Sequence, residues 1–368
     1  MSFFLYLFSF VVILSLVVIV HEGGHFFMAR LCGVQVEAFS VGFGKKLWAR
    51  KDKKGTEWRL CAIPLGGYVQ MLGDDDAAST QKTKKKLTAE EEKQTFFAQP
   101  VYKRAAIIFA GPFMNYVLAI VIFACILATV GQVRIPPYVG DVLEGSVAQK
   151  VGIQKGDLIL AVNGKKVEDF AELKRAVVVS YYDKNIDLEI ERDGKILTLT
   201  ARPELIGEEK MPQLGVMSDT SIAVSYQRLN PIMALREAVH MSYQMTVDTL
   251  QYLGQVLSGR RSANDLRGPV GIAEASGDAA KGGWLSFVLF LAQVSIGIGF
   301  VNLLPVPILD GGHLVFLGYE AIIRKPVSER IQNMLLKVGM ILLMALLCFT
   351  LFKDIPRVLG RIGQVFGL

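Results

Sequence analysis

Four long stretches of this chain carry almost no charge, and they limit what it can fold into more than any other feature. Phe3–Val20 is eighteen uncharged residues, Ala105–Val130 twenty-six and Trp284–Leu304 twenty-one, each close to the roughly 20 residues of helix that cross a bilayer. Val338–Phe352 is shorter, but extending it back through Lys337 to Ile331 makes it long enough, with the lysine stem snorkelling to the interface. Four spans are therefore expected, and the 52% apolar content of the chain is concentrated in them. Phe3–Val20 has no basic n-region and no Ala-x-Ala site, and it runs directly into His21, so it reads as a retained span, not a cleaved signal peptide.

The charges between these runs predict an orientation. Residues 30–104 hold fifteen Lys or Arg against nine Asp or Glu, which makes this loop cytoplasmic by the positive-inside rule. Arg324, Lys325 and Arg330 put the loop between the third and fourth spans on the same side, so both termini are expected outside. Lys353, Arg357 and Arg361 in the tail argue mildly the other way. The net charge of +6 is spent beside the spans, where it meets anionic lipid headgroups, and implies no nucleic-acid partner. Four isolated cysteines form neither a disulfide framework nor a thiolate metal site.

The expected architecture is a polytopic α-helical membrane protein with a membrane-associated β-hairpin and one inserted α+β module. Its layout is a first span 1–30, a cytoplasmic loop 31–104, a second span 105–130, an outer module 131–205 and a helical region 206–283. A third span 284–312, a cytoplasmic loop 313–330, a fourth span 331–352 and a tail 353–368 follow. Within the first loop, Val34–Gly44 and Trp58–Leu72 are β-rich and flank a basic turn over 45–54, whereas Gly73–Gln94 is charge-blocked and reads as a linker. In the module, Asn163-Gly164 and Asp193-Gly194 are turn signals, and 169–178 reads as a helix. Residues 230–258 read as an amphipathic helix before a turn at Arg260-Arg261, and Gly268–Ile272 as an interfacial turn.

The chemistry begins at His21-Glu22-Gly23-Gly24-His25. On a helix, HExxH puts two imidazoles at i and i+4 on one face, close enough to share a zinc ion, with the glutamate placed as general base. Ionisable groups that continue a membrane helix are costly and functional by default, and a metal offsets that cost. A catalytic zinc commonly takes three protein ligands, so a third must reach the same depth. The third span supplies Asp310 and His313 after a Pro305/Pro307 break, and spacing does not choose between them. Gly23 and Gly24 suit either a close approach to the metal or helix packing. Gly111-Pro112, with Asn115 a turn later, suits either packing and hydrogen bonding against the first span or a plain helix start.

HEGGH, Gly111-Pro112-Phe113-Met114-Asn115 and the segment Asn302–Gly312, in this order, resemble the site-2 protease family. Pro64-Leu65-Gly66-Gly67-Tyr68 and the single outer module resemble its bacterial regulator-of-sigma-E protease branch. The resemblance covers nearly the whole chain. It implies zinc on His21, His25 and Asp310, Glu22 as base and Asn302 as a substrate-positioning residue, and so selects Asp310 over His313. Gly145–Ala148 and Gly152–Gly164 resemble a PDZ domain, which captures peptide termini by β-addition or, in this family, filters substrates by size. One such module has room here where enterobacterial relatives carry two.

The expected activity is zinc-dependent hydrolysis of peptide bonds in or next to a transmembrane helix, in the bacterial cytoplasmic membrane. By family resemblance, substrates are membrane proteins pre-trimmed by another protease, such as anti-sigma-factor-like regulators or signal-peptide remnants. Substrate helices must unwind to be cut, and a strand at Gly66, Gly67, Tyr68 and Val69 could hold the freed backbone. Two other classes fit some of these features. A non-catalytic PDZ adaptor with a structural zinc has no use for Glu22, and a zinc transporter calls for ligands on both sides of the membrane.

Overall fold

The first uncharged run continues unbroken through the HEGGH motif, so helix α1 (Ser2–Leu31) carries His21, Glu22 and His25 within its last three turns. A continuous i to i−4 ladder is how an apolar segment satisfies its own backbone where water is absent. The computed structural model describes residues 2–73, 87–180, 185–206, 211–219, 225–258 and 268–366, and the Arg260-Arg261 turn lies outside them.

After α1 come two long antiparallel strands, β1 (Val36–Lys51) and β2 (Glu57–Met71). The reversal is tighter than the basic turn expected over 45–54. β1 runs on to Lys51, and Asp52 Oδ1 accepts the N–H groups of Lys54 and Thr56 at 2.9 and 3.0 Å, closing the turn locally. Residues 38–41 of β1 pair with both 57–60 and 67–70 of β2, so the inner half of β1 lies between the two ends of its partner. Gly42, at φ +87°, permits the fold-back: a Cβ there would stand 2.5 Å from the Ile63 carbonyl oxygen. Phe39, Val69 and Met71 bury against Ala29 of α1, which ties the sheet to that helix.

Of the expected linker, 74–86 lie outside the described residues. The rest is ordered: Thr88 and Glu91 form a reciprocal capping box that starts helix α2 (Ala89–Lys93). Helix α3 (Val101–Thr129) holds Pro112 in its interior, which corrects the helix-start reading of that proline.

Residues 126–233 form one compact unit. It contains β3 (Gln132–Arg134), β4 (Val139–Val142), α4 (Val147–Lys150), β5 (Leu158–Val162), β6 (Lys165–Lys166), α5 (Phe170–Ser180), β7 (Ile186–Arg192) and β8 (Lys195–Ala201). Short strands β9 (Glu204–Ile206), β10 (Met211–Gln213), β11 (Val216–Ser218) and β12 (Ser225–Gln227) follow. β11 pairs β4 and β12 pairs β3, so the unit closes on residues beyond 205. Strands β6-β5-β7-β8 make its main sheet. Alternation along β7 turns Ile186, Leu188 and Ile190 into a core with Ile159, Phe170 and Leu173.

The other unit, residues 1–125 and 234–368, takes in most of α6 (Pro231–Leu257) and all of α7 (Pro269–Lys281), α8 (Trp284–Asn302), α9 (Asp310–Ile323) and α10 (Glu329–Phe366). α7 replaces the turn expected at Gly268–Ile272, because Pro269 sits at the first helical position, where its missing N–H costs nothing. α9 fills most of the expected loop 313–330, and α10 continues through what reads as a tail. Phe4–Leu31, Val101–Thr129, Trp284–Asn302 and Glu329–Leu351 are long and apolar enough to cross a membrane. Ile13, Val17 and Leu291 pack with Ile122 and Phe290 between α1, α3 and α8. Small residues let these helices approach: a Cβ on Gly24 would lie 2.3 Å from Ala110 O, and one on Gly277 1.8 Å from the Tyr6 ring.

Candidate metal centre and catalytic site

His21 and His25 project from one face of α1 toward the start of α9. His21 Nε2 is 3.2 Å from His25 Nε2 and 3.1 Å from Asp310 Oδ2, and His25 Nε2 is 3.6 Å from Asp310 Oδ1. Ligands about 2.0–2.1 Å from a tetrahedral zinc stand roughly 3.3 Å from each other, so this spacing fits a shared zinc ion. His21 is 8% exposed, and among the described residues the buried Asp310 Oδ2 has no approach other than that of His21 Nε2. Two imidazole nitrogens converging on one carboxylate suit a divalent cation. His313 is outside this group, its ring against Phe316 at 6.1 Å.

The sequence builds each ligand's position locally. Asp310 opens α9 after the turn that follows α8, and that turn folds back tightly on it. Cβ atoms on Gly311 and Gly312 would lie 2.3 Å from the carbonyl oxygens of Leu304 and Val306. Farther along α9, Glu320 makes a two-pronged ion pair with Arg104 of α3, at 2.6 and 3.2 Å, and both side chains are largely buried. α3 supplies the opposite wall. Pro112 cannot donate to the Ile108 carbonyl and crowds it, which loosens the helix on this turn. The neighbouring Ile107 carbonyl accepts His25 Nδ1 at 2.8 Å. Gly111 makes room for the imidazoles: a Cβ there would be 2.3 Å from His25 Nε2 and 3.0 Å from His21 Cε1. Gly24 packs against α3, while Gly23 has no neighbour within 4 Å of its would-be Cβ.

Glu22 leaves α1 toward β2. Ser15 Oγ donates to the Pro64 carbonyl at 3.0 Å, and a Cβ on Gly67 would stand 3.4 Å from both Val18 and Glu22. Residues 15, 18 and 22 share one helical face, so β2 runs alongside the helix up to the glutamate. Gly66, at φ +116°, is pressed on the Phe43 ring, and Tyr68 stacks on Phe43 while accepting a hydrogen bond from Arg59 at 3.0 Å. Asn302 is the last residue of α8, half-buried where the turn to Asp310 begins.

Sequence reasoning missed Ile107 and Gly111 as parts of the centre. A backbone carbonyl leaves no side-chain signal, and Gly111 reads as helix packing until the imidazoles are placed. Asn115 is the residue that the sequence offers, a turn after Gly111-Pro112, for hydrogen bonding against the first span. It is fully buried, with Nδ2 3.3 Å from His21 Nδ1.

Comparison with known proteins finds metalloproteases. The "Putative zinc metalloprotease mll0638" of Mesorhizobium japonicum is 41% identical over 360 residues, covering 94% of this chain and 97% of that protein. The "Metalloprotease MmpA" of Caulobacter vibrioides is 34% identical, covering 99% of both chains. The PDZ domain of an SdrC-like protein of Listeria monocytogenes matches 23% of this chain and 88% of its own, at 18% identity and a TM-score of 0.21. The pattern of peptidase family M50 matches residues 9–346, and with four apolar helices and a His-His-Asp cluster the chain belongs to that family, the site-2 proteases, as a multi-pass zinc metalloprotease.

Proposed function

We propose that this protease holds zinc on His21, His25 and Asp310, and that Glu22 is the general base that cuts peptide bonds in or next to the transmembrane segments of other membrane proteins. The carrying observation is the convergence of His21 Nε2 and His25 Nε2 on the Asp310 carboxylate, at 3.1–3.6 Å, with both histidines on a helix apolar enough to lie in a bilayer. Held there by His21, His25 and Asp310, zinc would supply Lewis acidity toward a water and the scissile carbonyl. Glu22 takes the proton from the attacking water and returns it to the departing amine.

An unwound substrate needs partners for its backbone, and we assign that role to Gly66, Gly67 and Tyr68 of β2, with Asn302 across the site. Val69 of the same strand is assigned the same role. In this reading the centre lies toward the cytoplasmic face of a bacterial inner membrane, with the inserted module and both termini outside. That module would take PDZ-like roles, capturing or size-filtering substrates pre-trimmed by another protease. Regulators resembling anti-sigma factors and signal-peptide remnants are the substrate classes proposed.

The test is co-expression with a tagged single-span substrate, comparing wild type and Glu22→Gln at equal zinc occupancy. Loss of the product in the variant supports the reading. Equal product from both would overturn it.

A further inference from the structure

The two histidines are steadied by different kinds of group. His25 Nδ1 faces the Ile107 carbonyl, which can only accept, so its ring proton sits on Nδ1 and Nε2 keeps a lone pair for the metal. His21 Nδ1 faces the Asn115 side chain, and an amide donates from one end and accepts at the other. As placed, the donor end is nearer, which suits a ring protonated at Nε2. Ligation through Nε2 requires the reverse, because the proton must then sit on Nδ1 and needs an acceptor facing it.

That acceptor is already present. Asn115 is 0% exposed, and its Oδ1 is buried without a hydrogen-bond partner. Its backbone is pinned, with the carbonyl accepting Ser295 Oγ at 2.9 Å and its Cβ 3.1 Å from where a Cβ on Gly299 would stand. The side chain therefore stays beside His21, while a half-turn of the amide exchanges its two ends. We propose that Asn115 is a positioning residue for the metal centre, turning Oδ1 toward His21 to accept the Nδ1 proton when zinc is held at Nε2. The ring carries one proton throughout, on Nε2 before and Nδ1 after. The inference rests on the ligand assignment above.

The test is zinc affinity of the full-length protein in detergent, measured by competition with a chromogenic chelator, for wild type, His21→Ala, Asn115→Leu and Asn115→Asp. Leucine matches the volume but accepts nothing, whereas aspartate accepts at either end. The expected order is aspartate equal to or tighter than wild type, and leucine weaker by roughly 10- to 100-fold, the usual loss for an outer-shell partner. If Asn115 only packs, a buried carboxylate disrupts more than leucine does. Aspartate binding at or below the leucine level, or leucine at the wild-type level, would therefore overturn the proposal. Should the leucine variant not fold, aspartate alone decides: binding at least as tight as wild type supports the proposal, and a tenfold loss overturns it. Unchanged affinity in His21→Ala would instead refute the ligand assignment, separating that failure from this one.

Discussion

Ile196, on β8 of the inserted unit, and Ile341, within the span of α10, are each 68% exposed. On the first, exposure means contact with water. On the second, it means contact with lipid, and the whole unit around it is organised accordingly. The inserted unit buries aliphatic residues such as Ile186, Leu188 and Ile190 at 0% exposure. The membrane unit shows Phe4, Ile341 and Leu342 at its surface and keeps His21, Asn115, Ser276 and Ser295 inside. Burial of apolar area drives the first kind of core. The second kind depends on close packing at small residues and on polar groups that have nowhere else to bond. Exposure has no meaning until the solvent is named.

The difference can be tested at several strengths. The largest effect is expected from Arg104→Leu, which strands the Glu320 carboxylate. Removing one partner of a buried pair costs about 3–5 kcal/mol, and Arg104→Leu with Glu320→Leu should recover much of it, read as thermal stability in detergent. Ile341→Asp should cost about 2.5–3.5 kcal/mol of membrane insertion. The same change at Ile196 should cost under about 1 kcal/mol, since it removes only strand propensity at a wet surface. Glycosylation-site mapping of insertion and thermal melting distinguish the two, and equal costs would erase the contrast. Gly111→Ala should lower zinc affinity roughly 10- to 100-fold while leaving the proteolytic resistance of the inserted unit unchanged.

The mildest test uses pH. Burial raises the Asp157 pKa, but the Arg192 guanidinium, at 2.7 Å from both oxygens, and the Gln154 N–H outweigh it and hold the carboxyl below its ordinary range. A depressed folded pKa gives stability that is complete above the unfolded value, about 3.9, and is lost as pH falls through the folded one. The advantage of wild type over Asp157→Asn in unfolding of the inserted unit should therefore be flat from pH 7 to about 5 and shrink below 4. An advantage that persists unchanged into stronger acid would show that the pair contributes no charge-dependent stability.

The spans were legible because length and lack of charge leave helix as almost the only solution. The amphipathic helix expected over 230–258 appears as α6, and that over 169–178 as α5. HExxH was legible because i and i+4 are neighbours on any helix. What was hidden depends on distance in space. The double pairing of residues 38–41 cannot be read from β-propensity, which says nothing about partners. Helix α9 was masked by its Gly-Gly start, which reads as loop until the carbonyls of Leu304 and Val306 are seen to need the room. Pro112 looked like a helix start because proline favours that position, but in an apolar span neighbouring elements can re-satisfy what it disrupts.

One contact at the centre is made by main chain, Ile107 C=O to His25. Every residue offers the same carbonyl at 107. The orientation of that imidazole is thus insulated from point substitution, and mutation can alter it chiefly by moving a helix bodily. The other imidazole leans on the side chain of Asn115, so it is there that evolution could retune the metal one residue at a time.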